Sequence, residues 1–150
     1  MMTFLFAVLS VLPVPPANSA PAFEGAPSPQ PALEVEAASF ARAWSGKDTR
    51  FLSGLMAEEG IRLNLPGEEH ILIRPRQARA ALDAFLDRHG SGEAQVTRAS
   101  MAGGSLDKGF AEIRWSTSSP GLPEPIIFTL FVGYSFENDR WTVTEIRVLF

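Results

Sequence analysis

Proton transfer, metal binding and nucleophilic attack each need particular side chains at particular spacings, and this chain offers few of them. Its two histidines, His70 and His89, fall on different expected elements and lack the HExxH spacing that puts two ligands on one helix face. GEEH (67–70) reads as a turn, and His89 as a cation-tolerant residue at a helix end. There are no cysteines, which excludes a thiolate nucleophile, a disulfide framework and a cysteine-ligated metal. No GxSxG elbow occurs, and Gly103-Gly104-Ser105 has no phosphate-loop lysine after it. Arg74, Arg76 and Arg79 gather where a helix should start; an anion site there would need them to converge on free backbone N–H groups, and a solvated first turn is the simpler reading. Glu112 with Arg114, and Glu145 with Arg147, alternate with apolar residues and read as outward stripes of strands. No metal and no cofactor is expected from this set.

The elements that must position any remaining chemistry follow from periodicity. In ALEVEAASFARAW, residues Leu33, Ala37, Phe40, Ala41 and Trp44 form the apolar stripe of a helix that Pro31 precedes and Gly46 ends. Asp48 is a good N-cap for a short second helix, with Phe51, Leu52, Leu55 and Met56 inward and a stop at Gly60. A third starts at or just after Pro75, turns Ala78, Leu82, Phe85 and Leu86 to one side, and stops at Gly90. Strand patterns fill the rest: IRLNL (61–65) and HILIR (70–74) around a Pro66-Gly67 turn, then EAQVTRASMA (93–102), FAEIRWSTS (110–118), IIFTLFVGYSF (126–136) and WTVTEIRVLF (141–150). Helices first and long hairpins last predict an α+β domain with its helices on one face of a curved sheet.

SGKDTRFLSGLMAEEGIRLNL resembles the signature of the nuclear-transport-factor-2-like family, also called the SnoaL-like or cystatin-like α+β cone. Its pattern is a small polar turn, an Asp cap, a short helix ending in Leu-x-x-acid-acid, and a strand. The third helix and the closing WTVTEIRVLF are similar to the family's last elements, and RPRQARAALDAFLDRHG resembles uncharacterised exported bacterial members. The resemblance covers about residues 32–150. It implies a cone-shaped curved antiparallel sheet packed against three N-terminal-half helices, a pocket inside, and often a homodimer. The family's ketosteroid isomerases use a tyrosine on the first helix, an aspartate base after the acidic pair, and a protonated acid on a later strand. Those roles fall near Phe40, Asn64 and Val132. Phe40 has no hydroxyl, the Asn64 amide is no base near neutral pH, and Val132 has neither group. Isomerase chemistry is therefore not expected.

This reading places a ligand pocket at Phe40, Trp44, Arg62, Asn64, Trp115, Val132, Tyr134 and Phe150, mostly aromatic with a few polar handles, as small-molecule sites are. Asn64 would orient a ligand or bridge a water. Phe131, Trp141 and Val143 are expected on the sheet face away from the helices, as a homodimer surface. The net charge of −4 favours neither nucleic acid nor acidic lipid as a partner. The apolar run Thr3–Leu12 is too short to span a bilayer and is followed by Pro13 to Pro16 and small residues, the pattern of a signal peptide over 1–19 cleaved between Ser19 and Ala20. A Pro/Ala-rich linker (20–31) and one domain (32–150) would follow, in a periplasmic or secreted protein with no stable membrane span after cleavage. The function expected is a non-catalytic module binding a small apolar or aromatic ligand or another protein. The alternative is a small cone enzyme, such as a cyclase, isomerase or dehydratase, with a non-standard polar site.

Overall fold

The computed structural model describes residues 29–150, with side chains from Ala32 onward. The expected signal peptide, and all but the end of the expected linker, lie outside the described residues. Three helices, α1 (Pro29–Ser45), α2 (Thr49–Gly54) and α3 (Pro75–Asp87), belong to the first part of the domain. Six strands complete it: β1 (Ile61–Leu65), β2 (Glu68–Ile73), β3 (Gly92–Met101), β4 (Lys108–Thr117), β5 (Ile126–Glu137) and β6 (Arg140–Leu149). They form one sheet in the order β2-β1-β6-β5-β4-β3. The pairs are antiparallel except β1 with β6, which run parallel, so the sheet is mixed where a wholly antiparallel one was expected. Among the described residues no helix is long and apolar enough to cross a membrane.

Local chemistry explains these elements. The α1 stripe is buried along its length, from Leu33 to Trp44, and packs on β3 and β4. Gly109 of β4 lies directly beneath it: a Cβ there would come within 2.6 Å of Leu33 Cδ2, so a larger residue would make the Leu33 side chain shift. Ser45 fastens the end of α1 to the sheet, accepting from the Ala94 amide at 2.8 Å while donating to the Ala41 carbonyl at 3.0 Å. Asp48 caps α2 as expected, accepting from the Phe51 amide at 2.9 Å. That helix is shorter than expected, and Phe51, read as inward, is 45% exposed. After these six residues the chain runs beside β6 instead, with Val143 N–H donating to Leu55 O at 2.7 Å and Ala57 N–H to Val143 O at 2.9 Å. In α3 the four expected residues Ala78, Leu82, Phe85 and Leu86 are the buried ones. The β5–β6 connection has positive φ at both Asn138 and Asp139, the geometry of a tight hairpin turn.

Two irregularities decide which side chains face the helices. Gly133 pairs with Glu145 but Tyr134 pairs with Val143, which leaves Thr144 as an extra residue in β6. Below this bulge Ile146 and Val148 point inward; above it Trp141 and Val143 do so too, at 4% and 0% exposure. Both had been expected on the outer face, where strict alternation from Ile146 would put them. Phe131 does lie outside. In the edge strand β2, Ile71 and Leu72 together oppose the single residue Arg62, and both are exposed.

Candidate functional site

The expected pocket residues separate. Phe40, Trp44, Trp115, Val132 and Tyr134 face the space between sheet and helices, and all are buried. Their rings pack on one another: Phe40 stacks on Trp44 at 5.8 Å between centroids, and Trp44 meets Trp115 edge-on at 5.6 Å. Arg62 and Asn64 lie on the opposite face of β1, because Ile61, Leu63 and Leu65 occupy its inward positions. Asn64 stands in register with Arg147 of β6, and Arg62 with Glu145. The pocket-facing amide is thus corrected to one on the outer face. Phe150, expected inward, lies just beyond β6 and is 84% exposed, with its ring 4.8 Å from that of Phe128.

What the structure assembles instead is an aromatic cluster at the end of α3. Phe85 and His89 are four positions apart, so they leave the helix end on one side and meet at 4.9 Å. The His89 ring also meets Trp115 and Phe128, both at 5.2 Å and both nearly perpendicular, while Trp115 and Phe128 stack at 5.1 Å. The main chain here is pinned from two sides. Lys47 Nζ donates to His89 O at 2.5 Å, and Gly90 N–H donates to Ser118 O at 2.8 Å. Outside the cluster lies a cleft of about 270 Å³ lined by Pro66, Phe85, Arg88, His89, Ser119, Phe128 and Phe150. It draws on the β1–β2 turn, the end of α3, the β4–β5 loop, the start of β5 and the end of the chain.

Sequence reasoning had His89 as a helix-end cap and did not find Phe85, Arg88, Ser119 or Phe128 as site residues. The Phe85/His89 spacing at the end of a helix was the signal available. Phe150, expected as an interior wall of the cone, lies instead at the rim of this cleft.

The electrostatics are simple. Burial holds the His89 imidazole below its usual pKa, and the positive charges of Arg88 and then Lys47 push it the same way. It is therefore neutral near pH 7. Among the described residues, none of the charged side chains is fully buried, and none forms a group of three or more that could hold a metal ion. Among the described residues, three buried side-chain polar atoms have no hydrogen-bond partner: Trp44 Nε1, Tyr134 Oη and His89 Nδ1. Burial pushes the Tyr134 phenol far above its usual pKa, and the Glu36 carboxylate adds to this.

No protein-family model and no curated protein matches this chain. Solved structures do. A DUF4783 family protein from Bacteroides ovatus is 17% identical, with a TM-score of 0.59 over 74% of this chain and 91% of that one. A protein from Catenulispora acidiphila with a ketosteroid isomerase-like fold, solved in complex with trimethylamine, is 17% identical, with a TM-score of 0.60 over 76% and 83%. A scytalone dehydratase candidate from Novosphingobium aromaticivorans is 8% identical, with a TM-score of 0.62 over 79% and 80%. At these identities the likeness concerns the fold alone. Three helices beside a curved six-stranded sheet, in this strand order and with these neighbours, identify the chain as one with the nuclear-transport-factor-2-like fold.

Proposed function

We propose that this chain is an exported, non-catalytic binding module that takes a small aromatic ligand in the cleft around His89 and pairs as a homodimer through the outer sheet face. The cleft itself carries the ligand reading: open to solvent, walled by Phe85, Phe128 and Phe150, and provided with a few polar groups. The interior of the cone supports no competing site, because its own rings pack there. The non-catalytic reading is supported by the poverty of the site. Proton transfer needs a base and a donor arranged about the reacting atom, and the aromatic cluster offers one imidazole without a carboxylate beside it. Export, to the periplasm or beyond, rests on residues 1–19, outside the described residues.

The ligand reading is tested by thermal unfolding of the wild type with a panel of one- and two-ring aromatic compounds of either charge. A compound held at a hundredfold its dissociation constant stabilises the fold by about 2.7 kcal/mol. Stabilisation should therefore appear with some of the panel and shrink in Phe150→Ala, which removes the exposed rim. A panel without effect on the wild type would overturn the reading. Turnover of a ketosteroid by the wild type would overturn the non-catalytic part.

The dimer rests on a separate observation. On the outer face Phe110 stacks on Phe131 at 5.3 Å, with the guanidinium of Arg98 over the first ring and that of Arg147 over the second. Ile127 and Leu149 extend this apolar stripe and are about half exposed. Phe131→Glu places a carboxylate at its centre. Sedimentation of the wild type at micromolar concentration should report a dimer and this variant a monomer. A monomeric wild type would refute the association.

A further inference from the structure

The cleft around His89 carries a solvent-exposed cation, Arg88, that has no ion-pair partner among the described residues. The Arg88 guanidinium lies 5.7 Å from the centroid of the Phe85 ring. Among the described residues no carboxylate pairs with it, although ion pairs form elsewhere, as between Arg147 and Glu145. The lining residues include no acid, and the other charged group near the His89 ring, Lys47, is also positive. A guanidinium resting with its carbon over a ring keeps N–H donors along its edge, in a fork that matches a carboxylate. A cationic ligand would meet two like charges. A neutral one would cover Arg88 without replacing the water it loses.

We infer that the cleft binds a small planar aromatic carboxylate, its ring against Phe128 and Phe150 and its carboxylate on Arg88. This rests on the ligand-binding reading above and narrows it to one chemical class. The volume suits such a ligand: a cavity of about 150 Å³ is enough for benzene, and this cleft has about 270 Å³. Ser119 adds a hydroxyl to the lining for the second carboxylate oxygen.

The test is calorimetric titration of the full chain with 2-naphthoate, 2-naphthamide and 2-naphthylmethylamine, which share a ring system and differ in charge. The expected order is carboxylate tightest, amide about tenfold weaker, and amine without measurable binding. Arg88→Gln should weaken 2-naphthoate by about tenfold and leave 2-naphthamide unchanged; Arg88→Lys, which keeps the charge but loses the fork, should fall between. Arg88 is exposed, so both variants should fold, and an unchanged unfolding curve confirms it. Equal affinity for all three probes, or a wild-type preference that survives in Arg88→Gln, would overturn the carboxylate assignment and leave the aromatic cleft standing. Absence of binding by all three would overturn both.

Discussion

Trp115→Ala is expected to lower the unfolding free energy by about 3–5 kcal/mol, the usual loss when a buried tryptophan is cut to a methyl group. A domain of this size has about 5–15 kcal/mol in all, so the variant should be on the edge of unfolding and its Tm roughly 10–20 °C lower. The reason is position. Trp115 is 1% exposed and lies against Trp44, Phe85, His89 and Phe128, which come from three different elements and the chain just after α3. Rings held on a helix and a strand cannot close the gap by moving one at a time, so the void persists. The same loss removes the wall behind the cleft, and ligand-induced stabilisation should vanish with it. Urea unfolding followed by circular dichroism measures the effect. A change below about 1 kcal/mol would mean that the cluster collapses freely and does not organise the domain.

Tyr134→Phe should act in the opposite direction and raise stability by about 1–3 kcal/mol, the cost ascribed to burying a polar group without a partner. The Tyr134 hydroxyl is such a group, and its ring is 2% exposed. A second signature follows from titration. Because burial raises the phenol pKa in the fold, the unfolded chain loses this proton above about pH 10 while the folded chain retains it. The unfolded state then binds fewer protons, so stability falls as pH rises beyond that point. Tyr134→Phe lacks this component of the alkaline slope. Tyr134 is the chain's single tyrosine, so ultraviolet absorbance follows the phenolate without interference from another. If the variant is less stable than the wild type, the hydroxyl has a water or ligand partner.

Much of the fold was legible because short-range rules set it. The α1 and α3 stripes, the Asp48 cap, the Pro66-Gly67 turn and the alternation of Ala111, Ile113 and Trp115 appear as the periodicities and turn chemistry require. Two kinds of feature were not. Trp141 and Val143 were placed outside because a β-bulge resets alternation in the middle of β6, and the out-of-phase pairs Trp141/Val143 and Ile146/Val148 read just as well as the two faces of a regular strand. Asn64 was placed inside by analogy with a base in the ketosteroid isomerases, against the evidence of its own strand, where Ile61, Leu63 and Leu65 already claim the inward positions. The cleft escaped for a third reason. Pro66, Ser119, Phe128 and Phe150 meet the end of α3 only through the three-dimensional course of the chain, and of its parts the Phe85/Arg88/His89 group alone is local.

The parallel pairing of β1 with β6 governs the order in which this domain can assemble. β3, β4, β5 and β6 are joined in sequence and can form as successive hairpins, the last nucleated by the Asn138-Asp139 turn. β1 and β2 on their own are a two-stranded hairpin, which is marginal in water. Until β6 is in place, β1 has no neighbour on its inner side, and Leu63 cannot come beside Ile146. The slow event is thus the closure of a long loop between strands from opposite ends of the domain. The sheet is therefore complete only once β6 is in place to receive β1.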